Sequence, residues 1–406
     1  MLVSGQLLLN DLPDRARTAP GYVRIEGDQI AEVVTGEAPA ECDAGGPACL
    51  ICPGFIDTHL HLPQFDMQGA HGLPLLEWLE RSTFPDERKW ADADYAAAMA
   101  ERAMRRLFSH GTTGICAYST VHADATRAAL QAACQLGIRG VIGQSLMDRN
   151  APDDLCRPAD QLIDETTSLL DDFPPGGRVA AAVTPRFAIS CTDELLAAAG
   201  RLAAERDATV QSHLAETIPE CEWAADLFGG ARYVDIYRDA GLLTERSIYG
   251  HCIYLSAEDR RTMADRGALA AHCPTANSFL RAGAMDRRAT LSEGVTLTLG
   301  SDIGAGYEAS MVRVGRAMIE TASSIGESFP VAAEAWRQIT AGNAAALGWQ
   351  DAGHLRVGAP ADLVLIEPSV PWLGANVDPL SMLMFAWDDR WLTHCWARGE
   401  LAYCRG

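Results

Sequence analysis

Residues 53–69 read PGFIDTHLHLPQFDMQG. An apolar run ends there in His59 and His61, with Asp57 and Thr58 just before them. On a strand, residues two apart point the same way, so the two imidazoles face one side together. A lone core histidine is commonly just hydrogen-bonded. Two in register beside an acid point to a metal, because imidazole is a preferred ligand for zinc and related ions.

Outward from this stretch the chain repeats one pattern. Between about residue 50 and residue 345, short apolar runs alternate with Ala/Leu/Arg-rich helical stretches. Eight runs are read: Leu50–Thr58, Thr112–Tyr118, Ile138–Gln144, Arg178–Thr184, Thr209–His213, Ser247–His251, Ala268–His272 and Val295–Ser301. Helices are expected between them, for example at Asp94–Ser109, Ala123–Leu136, Asp193–Glu205, Ala257–Arg266 and Glu308–Ala322. Eight such alternations predict an α/β fold, a (β/α)8 TIM-type barrel. Reactive side chains gather at the C-terminal ends of the runs: His59 and His61, Arg186, His213, His251 and Asp302. In a parallel barrel those ends share one face, where active sites form.

The histidine pair then acquires company. His213 lies in QSHLAE and Asp302 in TLTLGSDIGAGY. With His59 and His61 they make a three-histidine, one-carboxylate set that leaves room for water, as a catalytic metal requires. Alone, Asp302 reads equally as a helix cap. Glu216, three residues after His213, is placed as the proton carrier; alone it reads as an acid at a helix N-terminus. His251, in YGHCIYLS, is expected to orient water or substrate rather than to bind the metal. His272 reads as structural, and LEWLERSTFP (76–85) as a helix covering the substrate.

The flanks hold short strand-like pieces: Gln6–Leu9, Tyr22–Glu26, Ile30–Val34, Ala361–Ile366 and Trp391–Ala397. Neither flank buries a core alone, so both ends of the chain are expected to build one small β-sandwich. The expected division is residues 1–50 and 351–406 in the sandwich and 51–350 in the barrel.

Bulk composition excludes several partners. The 406 residues are 48% hydrophobic and 21% charged, as in soluble globular proteins. A formal charge of −21 argues against nucleic acid and anionic membranes, and no apolar stretch is long enough to span a bilayer. MLVSGQLLLNDLPDRA shows no secretion signal, so the cytoplasm is the expected compartment. Twelve cysteines in a chain of this size read as buried thiols. Cys49 and Cys52 have redox or zinc spacing, but three residues apart on a strand they face opposite sides and read as packing.

The set His59-x-His61, His213, His251 and Asp302 resembles that of the metal-dependent amidohydrolase superfamily. PGFIDTHLHLPQF (53–65), LPLLEWLERSTFPDE (73–87), TPRFAISCTDELL (184–196), QSHLAET (211–217), GHCIYLS (250–256), AHCPTANSFLRAG (271–283) and LGSDIGAGYEASM (299–311) resemble guanine deaminases within it. Leu62 replaces a residue that is small in many members, and Arg281 stands near the expected mouth. The resemblance implies one zinc ion held by His59, His61, His213 and Asp302; the same ligands accept iron. It implies hydrolysis of guanine to xanthine and ammonia, with Glu216 delivering a proton to N3, Asp302 accepting the water's proton and His251 stabilising the tetrahedral centre. Gln64, Arg186 and Phe187 match purine-holding positions, with His213 beside them, and Arg186 suits O6. A homodimer is common in the superfamily. The fourth run ends in Arg186 rather than the lysine that dinuclear members need, which favours a single metal. A pterin such as isoxanthopterin, or an s-triazine such as ammeline, is the alternative substrate.

Overall fold

In the computed structural model, residues 1–326, 330–374 and 377–406 are described. The chain opens with β1 (Leu2–Leu9), β2 (Arg17–Glu26), β3 (Gln29–Thr35) and β4 (Ala44–Pro53). Eight strands follow: β5 (Phe55–His61), β6 (Thr112–Tyr118), β7 (Arg139–Leu146), β8 (Val179–Pro185), β9 (Val210–Leu214), β10 (Ser247–His251), β11 (Leu269–His272) and β12 (Thr296–Leu299). It closes with β13 (Leu363–Ile366), β14 (Leu392–Ala397) and β15 (Glu400–Cys404). Strands β5 to β12 pair in parallel, in sequence order. They form the nearly closed eight-stranded barrel, with helices such as Ala93–Ser109, Ala123–Leu136 and Asp193–Arg206 between strands. Every residue of β5, β6, β8 and β9 is buried, as expected for parallel strands covered on both faces.

The chain ends meet in one seven-stranded sheet, ordered β15-β14-β13-β4-β1-β2-β3. Strands β4 and β13 alternate between two cores. Cys49, Ile51, Leu363 and Leu365 join a small cluster with Val3, Leu7 and Trp396. Leu50, Cys52, Val364 and Ile366 point the other way, into the main core. Cys49 and Cys52 thus lie in different cores, and both are free thiols.

Two sequence expectations shift. Leu50–Thr58, read as one strand, is two: β4 ends at Pro53 and β5 starts at Phe55. Gly54 makes the break, where a Cβ would come within 2.0 Å of Thr113 Oγ1. The helix expected at Glu308–Ala322 starts at Met311, after an extended Ser310 whose N–H donates to Glu308.

The first and last barrel strands are joined by side chains as much as by backbone. Asn343 donates to the carbonyls of Ile56 (2.7 Å) and Leu299 (2.9 Å) and accepts from Leu299 N–H (2.9 Å). Asp57 accepts from Ser301 N–H (2.9 Å) and from its hydroxyl, and Thr58 donates to Leu299 O (2.9 Å). All these side chains are buried. An Asn343→Leu change keeps the branched shape but takes the side-chain partner from the Ile56 carbonyl and the Leu299 N–H, while Thr58 still donates to the Leu299 carbonyl. It is expected to cost about 2–4 kcal/mol of stability, read as a lower denaturation midpoint in urea. A cost below about 1 kcal/mol would mean that the seam is held elsewhere.

Candidate active site

The seam delivers the site. Asp302 lies three residues beyond β12, and its N–H donates to His59 O at 2.7 Å; His61 N–H donates to Ile303 O at 3.1 Å. Backbone bonds between the two ends therefore set Asp302 against both histidines. Asp302 Oδ1 lies 3.5 Å from His59 Nε2 and 3.3 Å from His61 Nε2. His213, on β9, completes the group, with Nε2 3.1 Å from His61 Nε2. Two glycines make the space. A Cβ on Gly250 would stand 2.4 Å from His59 Cε1, and one on Gly300 2.5 Å from His59 Cβ.

These groups fit a cation. His213 Nδ1 donates to Arg186 O at 2.6 Å, since a carbonyl can only accept. Its Nε2 therefore carries a lone pair, aimed at His61. His59 Nε2 and Asp302 Oδ1 are buried without a hydrogen-bond partner. Buried polar atoms are rarely left unpaired, and a ligand set converging on one point accounts for these. Ligand atoms of His59, His61 and His213, and of His59, His251 and Asp302, lie within 4.8 Å of one another. Burial holds His61 neutral, with its pKa lowered to about 4, and pushes His213 well below its ordinary value, helped by the neighbouring histidines. Neutral imidazoles are the form that binds metal. Burial opposes ionisation of Asp302, but the imidazoles of His59 and His61 close to it hold its carboxyl well below the usual range.

Glu216 stands two residues past β9, with Oε2 3.4 Å from His251 Nε2. Burial raises its pKa well above the usual value, and the nearby Glu220 and Asp302 add to the rise. The surroundings thus push the two carboxyls in opposite directions, Glu216 toward the protonated form and Asp302 toward the carboxylate. Two carboxyls driven apart by their surroundings are the mark of an acid and a base in one site. His251 ends β10 with φ 72°, and Asp302 has φ 50°. Side chains rarely adopt this region, and such strain collects at functional sites. Asn277 Oδ1 lies 2.8 Å from His251 Nδ1, fixing the ring.

Above the group is a cavity lined by His61, His213, His251, Asp302, Glu216, Gln64, Arg186 and Phe187, and roofed by Leu75, Trp78 and Leu79. The structure thus brings together every expected site residue; His59 lies just behind His61. The roof comes from the stretch expected to cover the substrate, a helical segment from Leu75 to Ala91 with a π-helical turn at Leu79–Thr83. Such turns are frequent at functional sites. His272 is buried at the end of β11, outside the cavity lining. Arg281 follows Leu280, which lines the cavity.

Three participants escape the sequence reading. Tyr118 packs its ring on His59, His61 and His213, with centroids 5.0, 4.6 and 4.7 Å apart. Asn277 lies inside AHCPTANSFLRAG, but that stretch alone assigns it no role. Glu87, fully buried, grips Arg186 Nη1 at 2.6 and 2.9 Å and accepts from Gln64 Nε2 at 3.2 Å. The last residue of LPLLEWLERSTFPDE was the only sequence signal for it.

Comparison with known proteins agrees with this geometry. Residues 50–402 match the amidohydrolase family. The chain belongs to that family. This amidohydrolase is 36% identical over 367 residues to a guanine deaminase of Dictyostelium discoideum, covering 86% of this chain and 82% of that one. It superposes on an Escherichia coli guanine deaminase with a TM-score of 0.93, at 31% identity over 100% of both chains. The guanine deaminase of C. acetobutylicum, with guanine bound in its active site, gives 0.91 at 26% identity over 99% of both chains. The family is metal-dependent. Among the described residues, no helix of this amidohydrolase is long and apolar enough to cross a membrane.

Proposed function

We propose that this amidohydrolase hydrolyses guanine to xanthine and ammonia, using one zinc ion held by His59, His61, His213 and Asp302. The observation that carries the reading is the convergence, in one cavity, of a cation-shaped ligand set with Glu216, a second buried carboxyl beside it. The kinship with guanine deaminases supplies the substrate. When bound, the ion makes water acidic enough to react at neutral pH.

The rest falls to the protein. Arg186 and Gln64 hold the ring by its polar edge, beside Phe187. Glu216 gives its proton to N3 as water adds to C2, and Asp302 takes the proton that the water loses. Asp302 then passes that proton to the 2-amino group, the C2–N bond breaks, ammonia leaves, and the C2 hydroxyl proton returns to Glu216 as the carbonyl forms. His251, fixed by Asn277, steadies the tetrahedral centre. Trp78, Leu75 and Leu79 keep bulk water out, which strengthens each electrostatic contact.

The test is ammonia release from guanine by purified protein, with xanthine followed by absorbance, before and after chelation. Loss on chelation and recovery with zinc is the expected result; recovery with iron alone would reassign the metal. A higher kcat/KM on isoxanthopterin or ammeline than on guanine would reassign the ring.

A further inference from the structure

Glu87 does not line the cavity; it stands behind two residues that do, Gln64 and Arg186. Both reach its Oε1, so they sit side by side. A carboxylate offers acceptors only. Gln64 must therefore turn its NH2 toward Glu87. That leaves the carbonyl Oε1 of Gln64 buried and without a protein partner. Arg186 commits Nη1 to Glu87, and no described residue accepts from its Nε or Nη2.

We propose that Glu87 is a positioning residue that fixes the hydrogen-bond polarity of this wall. It sets an acceptor at Gln64 beside a donor at Arg186, and so selects rings with a lactam edge, N–H next to C=O. Rings with the reverse edge, a bare nitrogen next to an amine, meet acceptor with acceptor and donor with donor. The inference rests on the reading that a heterocycle occupies this cavity. An amide is nearly symmetric in shape, so without a neighbour of fixed polarity Gln64 is free to turn over. A buried site whose polar groups are left unpaired rejects the wrong ligand strongly.

The test uses two purines with no 2-amino group to lose. Hypoxanthine carries the lactam edge; adenine carries the reverse. Binding of each to the zinc-loaded protein is measured by calorimetry. The parent is expected to prefer hypoxanthine by about a hundredfold or more. In Glu87→Gln the new amide offers its own NH2, Gln64 turns to meet it, and the preference falls by about tenfold or more. Glu87→Asp still offers only acceptors and keeps the preference, even where affinity drops. Equal weakening of both ligands in Glu87→Gln, or a parent that binds both equally, would overturn the proposal; the second outcome needs no variant to fold. A parent that prefers hypoxanthine yet releases no ammonia from guanine would support the polarity and reject the reaction.

Discussion

Replacing Glu216 with glutamine is expected to lower kcat on guanine by about 10²–10⁴-fold, the range for a positioned proton donor. The change is nearly isosteric and keeps an oxygen for His251, 3.4 Å away. It removes the acidic proton whose retention burial, Glu220 and Asp302 all favour. KM should move little, because Arg186 and Gln64 are untouched. Zinc content should stay at the parent level, because Glu216 is not among the four proposed ligands. A kcat within about tenfold of the parent would shift the donor role elsewhere, with His251 the next group to test.

His61→Ala is expected to lose both metal and turnover. His61 Nε2 faces His213 Nε2 at 3.1 Å and Asp302 Oδ1 at 3.3 Å, at the centre of the ligand set. The loss should exceed the roughly 10–100-fold that follows removal of an outer hydrogen-bond partner. Zinc per chain, by elemental analysis after gel filtration, should fall from about one toward zero. Full occupancy in the variant would show that the cation sits elsewhere. His61 is the better choice than His59, which fills space against Gly250 and Gly300, so that its removal also opens a void.

Much of this site was legible because strand ends carry their own signal. His59, His61, His213, His251 and Asp302 each follow an apolar run, and a barrel gathers such ends whatever their spacing. Arg186 and Gln64 emerged from resemblance rather than from local chemistry. Glu87 and Asn343 were not legible, for a physical reason. Glu87 belongs to PDERK, a run that reads as a solvated face; its burial comes from a segment folding over the barrel mouth. Asn343 lies in TAGNAAALG, which reads as the start of a surface helix, yet it bridges strands whose ends lie 287 and 44 residues away. Leu50–Thr58 misled for the opposite reason. Its apolarity is continuous because strands of two different sheets run end to end, and only Gly54 divides them.

The seam between β5 and β12 also bears on biogenesis. Asp57 and Ser301 are 244 residues apart, and the ligands on either side of them are divided in the same way. A ribosome delivers His59 and His61 long before Asp302 exists. Two imidazoles alone make a weak and unselective trap for metal. The full proposed ligand set forms only when β12 docks on β5, so metal uptake by that set is expected to wait until β12 has been made. An ion held by that set would span the joint, so its release and the opening of the cylinder are expected to be thermodynamically coupled.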